Sequence, residues 1–145
     1  MKRILYATDF SPASRAAFDK ALAMAKADPS ELVIVHAIAP VMPPANGYIT
    51  ATAYSEIDAA ARRYCGKQVD ALVRRARNAG VRSRGVLVEG IAHDAIVRAA
   101  SKQHADMIVV GTHGRTGLAK FMLGSVAGRV VAHARCPVLT VRGRG

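Results

Sequence analysis

At 145 residues the chain is long enough for one domain with a real core and too short for two ordinary ones. Half of it is hydrophobic, aliphatic rather than aromatic and without tryptophan, which excludes a disordered chain, and no apolar run approaches the ~18 residues of a membrane span. A net charge of +11 admits nucleic acid, acidic lipid or a polyphosphate as partner, while "MKRILYATDFS" turns polar too early for a signal peptide, so a soluble cytoplasmic protein is expected.

"KRILYATD" (2–9) reads as a short apolar strand. "SPASRAAFDKALAMAKA" (11–27) follows as a helix, with Ser11 as N-cap and Pro12 in the first helical position, where its missing N–H costs nothing. Ala13, Ala17, Phe18, Ala21, Met24 and Ala25 form its expected buried stripe. "ELVIVHAIA" (31–39) is a continuous apolar strand, suited to a sheet covered on both faces. Residues 40–54, with three prolines and a glycine, make the longest irregular stretch. A long helix then runs to about Asn78, weakened at Gly66 and closed by Gly80 as a C-terminal cap. On it Ile57, Ala61, Tyr64, Gln68 (a lapse), Leu72, Ala76 and Ala79 step by three or four as the expected inner face. Arg62, Lys67, Arg74 and Arg77 point elsewhere. The basic helix 56–78 carries Tyr64 alone and no series of aromatic residues interleaved to stack bases, and no RNP-like or helix-turn-helix pattern is visible, so a solvated outer face accounts for it without nucleic acid.

The second half repeats the rhythm with "VRSRGVLVEG" (81–90), "IAHDAIVRAASKQHA" (91–105), "DMIVVG" (106–111), "SVAGRVVAHA" (125–134) and "CPVLTVR" (136–142). Five strands alternating with four helices predict one α/β domain over 1–145. Its sheet is expected to be parallel, of order 3-2-1-4-5, with helices on both faces joined by right-handed crossovers.

Such sheets bind ligands beyond the carboxyl ends of the strands, where strand order reverses. Here that point lies between Ala7-Thr8-Asp9, ending strand 1, and Gly111, which opens "GTHGRTGLAKFMLGS" (111–125). Gly111 and Gly114 let backbone approach a ligand closely, with Arg115 and Lys120 as nearby cations. Gly124-Ser125 opens a helix whose free N–H groups and dipole favour an anion, Ser125 adding a hydroxyl. The same glycines suit an ordinary turn before a helix capped by Ser125. Asp9 suits a turn in which it accepts the N–H of Ser11, or a site in which it binds a ribose hydroxyl or helps hold Mg²⁺. His36 reads as a satisfied rim histidine, His113 as an exposed loop histidine and His93-Asp94 as helix-capping. His93, His104 and His133 lack metal-ligand spacing, and Cys65 and Cys136 read as structural thiols. Neither G-x-S-x-G nor a Walker A sequence is present.

The spacing Gly111-x2-Gly114-x9-Gly124-Ser125 resembles the ATP-binding signature of the universal stress protein family. "ILYATDFSPAS", "VHAI" and "ADMIVVGTHGRTGL" are similar to that family's first, second and fourth strands, and "GSVAGRVVAHARCPVLTVR" to its last helix and strand. The resemblance covers essentially the whole chain, with 40–84 its least distinctive part. It implies a Rossmann-like, adenine nucleotide alpha-hydrolase-like fold and ATP with Mg²⁺ as ligand. Carried over, Gly111 would lie against the ribose and first phosphates. Gly114, Gly124, Ser125 and the Val126 N–H would hold the triphosphate beside Arg115. The Ala37 main chain would contact adenine, and Asp9, with the Ala7 and Thr8 backbone, the nucleoside. The resemblance also implies a homodimer through the final strand, 137–142, whose proline marks a sheet edge. The function expected is a nucleotide-dependent regulator of the stress response, with hydrolysis at most slow because no water-activating base stands out. The alternatives are an enzyme using ATP (an ATPase or a nucleotidyl or phosphoryl transferase) and a nucleotide-independent interaction protein using the basic helix.

Overall fold

Each of the first four apolar strands is followed by a helix that carries the chain back to begin the next strand in the same direction. The computed structural model describes residues 1–42, 46–47, 49–112 and 123–143. Its elements are β1 (Arg3–Ala7), α1 (Pro12–Ala27), β2 (Glu31–Ile38), α2 (Ala51–Asn78), β3 (Ser83–Glu89), α3 (Ala92–Lys102), β4 (Met107–Gly111), α4 (Ser125–His133) and β5 (Val138–Val141). The sheet is parallel throughout, in the expected order β3-β2-β1-β4-β5.

Period-two alternation splits the core into two layers. Ile4, Tyr6, Leu32, Ile34 and Val109 pack against α1 and α2, whereas Leu5, Val33, Val35, Ile108 and Val110 pack against α3 and α4. Ser11 caps α1 by accepting the Ser14 N–H at 3.2 Å, and Gly80 takes φ +83° just beyond α2. Ala17, Phe18, Ala21 and Ala25 are buried as expected, but Ala13 and Met24 are only half-buried and the polar Ser14 is buried among them.

Two expectations for α2 need correction. It starts at Ala51, inside the stretch read as irregular, because Thr50 caps it by accepting the Ala53 N–H at 3.1 Å. Its buried residues are Val69, Val73 and Ala76, a face rotated from the expected one, which leaves Ile57 and Tyr64 exposed. Gly85 on β3 explains the phase: a Cβ there would stand 2.3 Å from Val69 Cγ1, so the valine occupies the space the glycine vacates.

Part of the basic charge is tied down. Arg3 and Arg84 converge on Glu31 at 2.7 and 3.0 Å, Arg75 reaches Asp19 at 2.7 Å, and Arg62 bonds both Asp58 and Glu89. Arg77 donates two bonds to the Ser83 carbonyl. Cys65 and Cys136 are free thiols. Among the described residues, no helix is long and apolar enough to cross a membrane.

Glu31 is the junction of β1, β2 and β3. Burial pushes its pKa up, but hydrogen bonds and charge from Arg3 and Arg84 outweigh burial and hold it below the ordinary carboxylate value. A carboxylate depressed in the folded state stabilises fully above its unfolded pKa of about 4.3, and that contribution is lost as pH falls through the lower folded value. Glu31→Gln is therefore expected to lower stability at pH 7 and to flatten the loss of stability below about pH 4.3. Denaturant unfolding across that range checks it; identical acid slopes in variant and wild type would remove Glu31 from the account.

Candidate functional site

The turn after β1 is fixed by a one-way chain of buried hydroxyls. Tyr6 Oη is 2.7 Å from the Ser14 carbonyl, which only accepts, so the phenol spends its one proton there. It must then accept from Ser14 Oγ at 2.6 Å, which in turn accepts from Thr8 Oγ1 at 2.7 Å. Thr8 Oγ1 takes the Phe10 N–H at 3.0 Å, closing the sequence. Burial raises the Tyr6 pKa against the lowering effect of the Ser14 and Thr8 bonds, which keeps the phenol a neutral donor. One step on, Asp9 Oδ1 accepts the Ser11 N–H at 2.9 Å, and Phe10 adopts φ +64°, a left-handed backbone unusual for so large a residue. Its ring stacks on His36 at 4.4 Å between centres, while His36 Nδ1 donates to the Thr8 carbonyl at 2.8 Å.

Beyond this turn, at the reversal between β1 and β4, lies a cavity of about 330 Å³. Ala7, Thr8 and Asp9 line it from the end of β1 and the turn after it, His36 and Ala37 from β2, and Gly111 and Thr112 from the end of β4 and just beyond. Gly124, Ser125 and Val126 complete the wall at the start of α4. Eight of the ten residues assigned to the nucleotide from sequence thus share one cavity, with His36 beside them. Gly114 and Arg115, with His113 and Lys120, lie outside the described residues. Sequence reasoning missed Ser14, Ala92, Ile96, Val110, Thr112 and Ala127 as lining residues, for alanine and isoleucine on a helix read only as core.

Local geometry corrects two readings and adds to a third. Ser125 is the first helical residue and Gly124 the N-cap, with no side-chain cap bond, so the N–H groups of Ser125, Val126 and Ala127 have no partner among the described residues. The Gly124 N–H donates instead to the Thr112 carbonyl, and the Thr112 N–H to Val141 at 2.9 Å. At α3 the N-cap is Ile91, without a side-chain cap bond, and Asp94 pairs with Arg98 at 3.2 Å rather than capping. Gly111 has a reason unconnected with any ligand: an added Cβ would stand 3.1 Å from the Ala13 carbonyl group in the first turn of α1.

Asp9 and His36 are the titratable groups among the described lining residues, and one atom of each is already bound to backbone. Asp9 Oδ2 bonds no described residue. The cavity therefore offers N–H donors and a hydroxyl at α4, one carboxylate oxygen at β1, and an apolar wall of Ala37, Ala92, Ile96 and Val110.

Comparison with known proteins gives the same direction. Residues 1–142 match the Universal stress protein family. A universal stress protein from the QAH/OAS sulfhydrylase 3′ region of Thermus aquaticus is 35% identical over 97% of this chain and 98% of its own. The solved structure of MJ0577, a universal stress protein of Methanocaldococcus jannaschii, superposes with a TM-score of 0.85 at 26% identity, covering 99% of this chain and 97% of the other. A universal stress protein crystallised in complex with cAMP has a TM-score of 0.71 at 26% identity, covering 99% and 98%.

The hydroxyl chain is testable apart from any relative. Tyr6→Phe strips Ser14 Oγ of its acceptor and the Ser14 carbonyl of a donor, and should cost about 1–3 kcal/mol, read as a lower denaturation midpoint at unchanged slope. An unmoved midpoint would show that the β1 turn stands without the relay.

Proposed function

The chain belongs to the universal stress protein family, and on that premise we propose that it is a nucleotide-dependent regulator of the stress response that binds ATP in the cavity between β1 and β4. The observation that carries this reading is the start of α4: three consecutive N–H groups without partners among the described residues, at the positive end of a helix, on the wall of a cavity. Such an end favours an anion of several charges. The adenine nucleotide in the related cAMP complex supports the ligand class.

In this reading the phosphates lie at Gly124, Ser125 and the Val126 N–H, completed by Gly114 and Arg115. Gly111 faces the ribose, the Ala37 main chain meets adenine, and Asp9 with the Ala7 and Thr8 backbone holds the nucleoside. The donor set fits Mg²⁺ only as a passenger. The one carboxylate among the described lining residues has a single oxygen to offer, and no cluster of three metal-binding side chains exists among them. Mg²⁺ usually keeps its waters and binds through one carboxylate plus phosphates, which this arrangement allows. When bound, the ion would neutralise phosphate charge. Asp9 and His36 each spend one atom on the turn after β1 and are the only titratable groups among the described lining residues, so hydrolysis is at most slow in this reading. Regulation then rests on nucleotide binding two states of the protein unequally. The free thiols of Cys65 and Cys136 support a reducing, cytoplasmic setting.

We also infer a homodimer through β5. It is the last strand in the order, and its backbone alternates: the Pro137 and Val141 carbonyls accept from Ile108 of β4 and from Thr112 just beyond it, so Val138 and Thr140 present theirs outward.

Two measurements test these readings. Titration with labelled ATP should show at least about tenfold weaker binding in Asp9→Asn/Ser125→Ala, from the loss of a charged and a neutral contact; equal affinity would empty the cavity of its assigned role. Sedimentation should find a dimer that Thr140→Pro dissociates, since proline lacks the outward N–H. A wild-type monomer at micromolar concentration sinks the dimer.

A further inference from the structure

Helices α3 and α4 pack side by side on one face of the sheet and bring together two histidines far apart in sequence. The ring centres of His93 and His133 are 6.0 Å apart, with planes inclined at 41°. Neither residue lines the cavity between β1 and β4.

The hydrogen bonding of the pair points to a ligand. His133 Nδ1 is 2.8 Å from the Arg129 carbonyl, one turn earlier in α4. A carbonyl accepts only, so Nδ1 carries the proton and Nε2 keeps its lone pair. A ring that donates one N–H to a backbone carbonyl and keeps the other nitrogen bare is the form that metal-binding histidines take. His93 makes no hydrogen bond among the described residues, so its nitrogens are uncommitted. The separation agrees. With metal–nitrogen bonds of ~2.0–2.1 Å and ring centres about 1.1 Å behind each nitrogen, two imidazoles on one tetrahedral ion lie roughly 5–5.5 Å apart. The observed pair is within about 1 Å of that, and a small rotation of the exposed His133 closes the gap.

We propose that His93 and His133 form a two-histidine site for a borderline first-row divalent ion of the zinc class, bridging α3 and α4. Imidazole selects such ions over Mg²⁺ and Ca²⁺, which prefer oxygen. Among the described residues no third histidine, cysteine or carboxylate completes a cluster, so water fills the remaining positions and the ion exchanges freely. Arg129 and Arg135 flank His133 in sequence, and Arg98 occupies the nearby Asp94, so the surrounding charge weakens the site. With two protein ligands, the site binds far more weakly than a four-ligand structural zinc site.

Calorimetric titration of the chelator-treated full chain with Zn²⁺ alone tests this. Wild type should take up one equivalent, and His93→Ala and His133→Ala should each weaken binding at least tenfold, with circular dichroism showing the fold retained. On wild type, Zn²⁺ should shift the NMR ring resonances of His93 and His133 and leave those of His36 in place. Full-strength binding by the double variant, no saturable binding by wild type, or unmoved His93 and His133 resonances would overturn the assignment.

Discussion

Three hydroxyls with one proton each can be arranged in only one direction, and that constraint fixes the end of the central strand. Because Tyr6 must donate to the Ser14 carbonyl, Ser14 must donate to Tyr6 and Thr8 to Ser14, leaving Thr8 Oγ1 to receive the Phe10 N–H. The chain couples β1 to the first turn of α1 in an interior where an unpaired hydroxyl is costly. It also imposes the left-handed backbone at Phe10, which the stacked His36 ring supports from β2. Asp9 is thereby held at the cavity by the backbone on either side of it.

The cavity is accordingly built from compromises between packing and access. Gly111 is small because α1 leaves no room for a Cβ, yet the same position borders the cavity. Positive charge is handled similarly. Arg3, Arg84, Arg62, Arg75 and Arg77 are engaged in joining helices and strands, so for these five the fold itself supplies a reason for the cation.

How much of this was legible in the sequence depends on the range of the signal. The strand order, the Ser11 cap and the Gly80 terminus follow from apolar runs, capping residues and a family resemblance, and the structure has them. The phase of α2 was not legible, because alanines satisfy several three-and-four spacings at once and the deciding residue, Gly85, lies on another element. Ser14 escaped notice since a polar residue breaks an apolar stripe unless its partners Tyr6 and Thr8 are known to face it. Of the candidate site, the turn at Asp9 and the start of α4 could be read locally. The alanines and isoleucine of its apolar wall could not, and the nearness of His93 to His133 arises only when α3 meets α4.

The bond from the Gly124 N–H to the Thr112 carbonyl joins the two ends of the glycine-bearing connection, and Thr112 is anchored in turn to Val141 at the edge strand. Closure of that connection is therefore settled by residues outside it. The entrance to α4 is thus pinned to the edge of the sheet by two backbone bonds in series, and whatever shifts β5 is passed on to the helix start that borders the cavity.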